Sequence, residues 1–197
     1  MHLCKVAVET VKYDRILTPE TIWDHIKVEP ESMPAVKEFD NPNGLIVLGA
    51  HFGNWEISGT ACSIMFKPLL SIMRPMNNPK ISDYVLRKRQ TFGQKLTDQK
   101  SALRKLISTL RSGNPVALLC DQHAGRREGV VVDYFGHPAR THTSAAAMSL
   151  KTKAPIVIGV VRRIDDNFNF EFVWLGPFSL EPTGNKEKDI LDLTQMY

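Results

Sequence analysis

The sequence predicts an α/β protein in which a single mixed sheet is flanked by helices. Three observations lead there. Short apolar runs alternate along the chain with segments of helical spacing. Three of those runs end directly in polar residues. With 197 residues, 43% of them hydrophobic and 23% charged, the chain is long and apolar enough to build one core without disulfide or metal staples. On this reading residues 1–197 form one domain: a helical N-terminal part over 1–40, an α/β core over 41–180, and the start of a C-terminal helical part over 181–197.

Residues 2–16 and 19–27 read as helices, the second opened by Thr18-Pro19-Glu20, a cap followed by proline at the first helical position. Asn41 to Gly44 is a turn, and LIVLGA (45–50) is a short buried strand. A helix is expected from Asn54 to Phe66 and a strand at LLSIM (69–73). Asn77-Asn78-Pro79 opens a basic helix that ends near Gly93. Between Ser101 and Arg111, the residues Leu103, Leu106, Ile107 and Leu110 stand at i, i+3, i+4 and i+7, an amphipathic helix stopped by Gly113. VALLC (116–120) is a third buried strand. A loop containing Gly125, Gly129 and Gly136 then leads to an Ala-rich helix over 143–152. PIVIGVV (155–161) is the next strand, FNFEFVW (168–174) alternates as an edge or antiparallel strand, and 185–197 reads as helix.

Composition excludes several classes of function. Lys and Arg number 25 against 21 Asp and Glu, a balance of +4 that does not call for nucleic acid but suits an acidic partner. Cys4, Cys62 and Cys120 are far apart, with neither a disulfide framework nor metal spacing, so no metal site is expected and a reducing compartment is favoured. The apolar runs are about half the length of a bilayer span, and charges interrupt the first fifteen residues. Neither a membrane span nor a secretory signal is expected.

The polar residues that end the strands are His51, Arg74, and Asp121 with Gln122. In open α/β sheets ligands bind beyond the carboxyl ends of the strands, so parallel neighbours would bring these side chains to one site. His51-Phe-Gly-Asn-Trp-Glu56 is the sharpest local signal. On a continuous helix residues five apart lie about 140° from one another. Here a strand end, a bend at Gly53 and a helix start let the Glu56 carboxylate fold back onto the imidazole, giving an expected His–Glu dyad. A histidine that merely caps a helix is the plainer reading of this spacing alone. Asp121 reads equally as a third carboxylate of the site or as a turn device.

Four blocks in register carry a resemblance. LGAHFGNWE (48–56), Arg74-Pro-Met-Asn-Asn-Pro79, Arg89-x-x-x-Gly93, and Cys120-Asp-Gln122 followed by VVVDYFGHPARTHT (130–143) resemble the H-x4-D/E lipid acyltransferases, in particular the lipid A biosynthesis acyltransferases. The agreement runs from about residue 27 to residue 180. It implies a glycerolipid-acyltransferase-like fold and an O-acyltransferase at the cytoplasmic face of the bacterial inner membrane, in peripheral contact with anionic lipid. The acyl donor would be acyl carrier protein or acyl-CoA, the acceptor a hydroxyl of a lipid A-type glycolipid, and no cofactor beyond the donor is implied.

Carried over residue by residue, the resemblance implies His51 as general base and Glu56 as its carboxylate, with Arg74, Asn78, Arg89, Asp121, Gln122 and Thr141 at the substrates. Tyr134 replaces a usual Phe, and Ser144-Ala-Ala-Ala lacks a frequent glycine. The family's hydrophobic N-terminal anchor and its tryptophan- and arginine-rich C-terminal continuation are not found here, so a truncated chain is expected. The oxyanion of an acyl-transfer intermediate would be met by backbone N–H groups at Gly53 and Asn54 or by Arg74. The absence of a G-x-S-x-G elbow disfavours a serine hydrolase. Rival readings are an acyltransferase acting on a glycerophospholipid or aminolipid, a catalytically incomplete lipid- or carrier-binding module, and a thioesterase that turns the dyad on water.

Overall fold

The structure, a computed structural model, describes residues 2–99 and 101–197. Helix α1 (His2–Ile16) leads into a single turn, α2 (Ile22–His25), and a three-residue strand, β1 (Ile26–Val28). Helix α3 (Met33–Lys37) lies between two 3₁₀ turns. The core then alternates β2 (Leu45–Gly49), α4 (Trp55–Met65), β3 (Leu70–Ile72), α5 (Pro79–Gln90), β4 (Lys95–Thr97), α6 (Ala102–Arg111) and β5 (Pro115–Leu119). Strands β6 (Gly129–Tyr134) and β7 (His137–His142) precede α7 (Ser144–Thr152), β8 (Ile156–Arg163), β9 (Phe170–Phe178) and α8 (Lys186–Met196).

Seven strands form one sheet in the order β1-β9-β8-β2-β5-β3-β4. Every neighbouring pair is parallel except β8 with β9. The central strand β2 is buried on both faces, which is why it reads as an unbroken apolar run. Leu45 and Val47 face a core with Tyr13, Ile57, Cys62, Phe172 and Trp174, under α1, α3 and α4. Ile46 and Leu48 face a second core with Leu106, Leu110, Met148 and Leu193, under α6, α7 and α8. Among the described residues no helix is long and apolar enough to cross a membrane.

Two expectations from the sequence are corrected. The segment 19–27 is not one helix: only Ile22–His25 is helical, and Ile26–Val28 pairs with Phe170–Phe172. Ile26 is fully buried there, so sheet pairing overrides the local helical pattern. That pairing also makes β9 an internal strand. The glycine-containing stretch after Asp121 is a regular antiparallel hairpin, β6–β7, turned at Phe135 and Gly136, both with positive φ. Val132 is the one buried residue on its two strands, so burial left no alternating pattern to read. A short strand that the sequence reading did not assign, β4, pairs with β3 at the sheet edge.

Candidate active site

Strands β2, β5 and β3 are consecutive and parallel, so their carboxyl ends open on one side of the sheet. A cavity of about 620 Å³ lies there, within the usual range for a small-molecule site. Its walls include His51, Trp55 and Glu56 after β2, Arg74 after β3, Arg89 from α5, Gln122 after β5 and His142 at the end of β7. Farther in, Val47, Cys62, Leu69, Ala117 and Phe172 give an apolar lining. The polar strand ends therefore do converge.

The turn that carries His51 is built by its neighbours. Asn54, wholly buried, caps α4 by accepting hydrogen bonds from the N–H groups of Glu56 (3.1 Å) and Ile57 (3.0 Å). Its own N–H donates to Val161 O at 2.9 Å, and its side-chain amide donates to Glu9 of α1. Glu9 in turn accepts two hydrogen bonds from Arg163, each 2.6 Å long. Gly53 adopts φ +61°, where a Cβ would stand 1.9 Å from Val161 O, so only glycine fits the bend. Because the Asn54 N–H is bound to Val161, it is not an available oxyanion donor.

His51 is paired with Asp121, not with Glu56. Its ring Nδ1 lies 2.9 Å from Asp121 Oδ1, and its backbone N–H donates to Asp121 Oδ2 at 2.7 Å. The sheet register explains this. Leu45 pairs with Pro115 and Gly49 with Leu119, an offset of seventy residues that carries on past the strand ends to His51 and Asp121. Burial by itself would raise the Asp121 pKa. The hydrogen bonds from the His51 ring and backbone, with the imidazole charge, outweigh it and hold the carboxyl below its ordinary value. An ionised Asp121 on Nδ1 fixes the tautomer that leaves Nε2 as the proton acceptor. The Trp55 ring meets the imidazole edge-on, with 5.2 Å between centroids.

Glu56 turns instead to Arg89. The guanidinium donates to both carboxylate oxygens, at 2.9 and 2.7 Å, while Trp55 Nε1 donates to Oε1 at 3.2 Å. The two side chains are only 11% and 19% exposed. Burial disfavours the Arg89 cation, but the hydrogen bonds and charge of Glu56 more than compensate and raise its pKa above the usual arginine value. The expected His51–Glu56 contact fails for a physical reason: at the first turn of α4 this carboxylate finds a bidentate cation on α5. Tyr13 stands close enough to feel both charges, and burial pushes its phenol up to about 12.

The remaining candidates divide. Arg74 and Gln122 are exposed and line the cavity. Asn78 is the N-cap of α5, accepting hydrogen bonds from Lys80 and Ile81 N–H groups. Thr141 sits opposite Val130 in the β6–β7 hairpin, one residue before His142. Neither Asn78 nor Thr141 is on the cavity wall. Lys88 is tied to Asp14 and the Val11 carbonyl, Arg162 to Glu29 and Glu171, and Arg163 to Glu9, so these cations bind the fold together. Of the apolar residues on and just after α4, Trp55 lines the cavity, whereas Ile57, Met65 and Phe66 pack in the core. Burial first, and then the Asp121 charge, push the Cys120 thiol up to about 11, so it stays protonated and is a poor nucleophile. Among the described residues no cluster of His, Cys and carboxylates could hold a metal ion.

Comparison with known proteins places the chain among relatives. Two curated proteins of Haemophilus influenzae, each named Lipid A biosynthesis acyltransferase, are similar to this chain. One is 26% identical over 113 residues, 57% of this chain and 36% of the relative. The other is 26% identical over 122 residues, 62% of this chain and 38% of the relative. The matched stretch thus spans little more than a third of either relative's length. The family model described as bacterial lipid A biosynthesis acyltransferase matches residues 9–196, nearly the whole sequence, and the chain belongs to that family.

Proposed function

We propose that this chain carries the acyl-transfer site of an O-acyltransferase acting on a lipid A-type glycolipid. The donor is an acyl thioester of acyl carrier protein or coenzyme A. The observation that carries this reading is the His51–Asp121 pair at the mouth of a cavity with an apolar interior. His51 Nε2 takes the proton of the acceptor hydroxyl as its oxygen attacks the thioester carbonyl. Asp121 holds Nδ1–H and stabilises the imidazolium. The tetrahedral oxyanion then collapses, the C–S bond breaks, and the thiolate recovers the proton from His51. Arg74, exposed on the cavity wall, is suited to meet the oxyanion or a substrate phosphate. Glu56 acts through Arg89, bracing α4 against α5 beneath the histidine. Exposed Arg126 and Arg127, in the loop before β6, are suited to an anionic membrane surface at the cytoplasmic face of the inner membrane.

The test is incubation with acyl-carrier thioester, with and without a lipid A precursor, for the wild type, His51→Ala and Asp121→Asn. Acceptor-dependent transfer, lowered about 10²- to 10⁴-fold by His51→Ala, is the expected result. Acyl release without acceptor would assign a thioesterase, and binding without turnover a carrier- or lipid-binding module. Turnover of His51→Ala near the wild-type level would sink the mechanism.

A further inference from the structure

Among the described residues the His51 ring has one hydrogen bond, between Nδ1 and Asp121, and its side chain is 35% exposed. The χ2 wells of a histidine are broad. At a partly exposed position one hydrogen bond is a modest restraint, and a turn about χ2 that breaks it carries Nε2 out of line. The second contact on the ring is the Trp55 indole, T-shaped to it with 5.2 Å between centroids and 64° between planes. Aromatic rings favour that geometry, so the indole resists the turn.

The indole is itself tethered. Trp55 is half-buried in the first turn of α4, and its Nε1–H donates to Glu56 Oε1 at 3.2 Å. Consecutive side chains on a helix ordinarily point apart, so this bond draws together two groups that the helix would separate. Glu56 is a firm anchor because the Arg89 fork holds both its oxygens from α5. The His2 ring of α1 also stands 6.3 Å from the indole. Contacts thus run unbroken from Arg89 through Glu56 and Trp55 to His51. We propose that Trp55 is a positioning residue, which passes the fixed geometry of the Glu56–Arg89 pair to His51 and keeps Nε2 aimed at the acceptor hydroxyl. The carboxylate five residues after the histidine then serves it through an indole and not by direct contact. The inference rests on the acyl-transfer reading and names the residue that sets the aim of its base.

Trp55 also lines the cavity, so the test separates aim from substrate contact. Wild type, Trp55→Phe and Trp55→Leu are compared, each checked for folding by circular dichroism. Phenylalanine keeps a ring against His51 but has no N–H for Glu56, and leucine keeps neither. A misplacement of about 1 Å can cost 10²-fold in rate. Trp55→Leu is expected to lower kcat about tenfold or more, with KM for acceptor and thioester within about threefold of wild type, and Trp55→Phe to recover part of the loss. A raised KM at unchanged kcat would make Trp55 a substrate contact only and overturn the inference. A second readout needs no turnover: the order parameter of the His51 ring, from carbon-13 relaxation of the free protein. It should be high in wild type, lower in Trp55→Phe and lowest in Trp55→Leu, and an unchanged value in Trp55→Leu overturns the positioning role. Should the leucine variant misfold, Trp55→Phe decides, since wild-type kcat and ring order there would overturn the tether to Glu56. A wild type whose ring order follows this series but which shows no acceptor-dependent transfer would remove the acyl-transfer reading and leave the tether standing.

Discussion

Arg89→Ala should act first on stability, because the structure makes Arg89 the partner of a buried carboxylate. The wild-type pair has two charge-assisted hydrogen bonds, at 2.9 and 2.7 Å, between side chains 19% and 11% exposed. Truncation leaves Glu56 with the Trp55 indole as its remaining side-chain partner. Removing one member of a buried pair destabilises by about 3–5 kcal/mol, because the other charge is left uncompensated. At about 2–4 °C per kcal/mol for a chain of this size, the melting temperature should fall by roughly 6–20 °C. Arg89→Met combined with Glu56→Gln removes both charges, and it should be more stable than the sum of the two single changes by about 1–3 kcal/mol. Arg89→Lys should fall between wild type and alanine, since an ammonium cannot reproduce the fork. Urea denaturation followed by circular dichroism gives all the terms of this cycle. An Arg89→Ala protein that melts within 2 °C of wild type (against an expected drop of about 6 °C or more) while losing substrate affinity would refute the structural role. The arginine would then be a direct substrate contact, as the family resemblance implies.

Three further outcomes are expected. The Asp121 pKa is depressed in the folded protein, so its contribution to stability is complete above the ordinary carboxylate value near 4 and is lost as the pH falls through the lower folded-state value. The difference in urea midpoint between wild type and Asp121→Asn should therefore shrink as the pH falls below about 4, and a difference that goes on growing below that pH would contradict the pairing. Since about a third of the side chain is exposed, that difference should be small and should diminish in salt. Asn78→Ala removes the cap of α5 and should cost about 0.5–2 kcal/mol in a thermal melt with transfer kinetics unchanged, whereas a raised KM at full stability would make Asn78 a substrate contact. Gly53→Ala forces a Cβ to within 1.9 Å of Val161 O at φ +61°, so a loss of about 1–3 kcal/mol or more is expected, and a melt indistinguishable from wild type would show that the bend can relax.

What could be read from the sequence is what local pattern controls. Buried strands such as Leu45–Gly49 and Pro115–Leu119 are continuous apolar runs because both faces of the sheet are covered. The start of α5 was legible because Asn78-Pro79 is a cap followed by a proline whose missing N–H goes unneeded in the first turn. The placement of His51, Arg74 and Gln122 around one opening was legible too, once the three strands were taken as parallel neighbours. Elements held by pairing rather than by pattern were not legible: β1 and β4 are three residues each, and the β6–β7 hairpin is too exposed to carry an alternating signature.

The site shows the same division. The sequence by itself determined that a histidine follows a buried strand, that a glycine bend and a capped helix come after it, and that carboxylates stand at 56 and 121. Which carboxylate serves the histidine was decided by tertiary structure alone. Glu56 is five residues away, but the helix presents it to Arg89 on α5. Asp121 is seventy residues away, and the parallel register of β2 against β5 brings it alongside. Chain distance sets which groups can meet, whereas strand order and helix packing set which of them do, because a side chain's partner depends on the neighbouring element and not on the neighbouring residue.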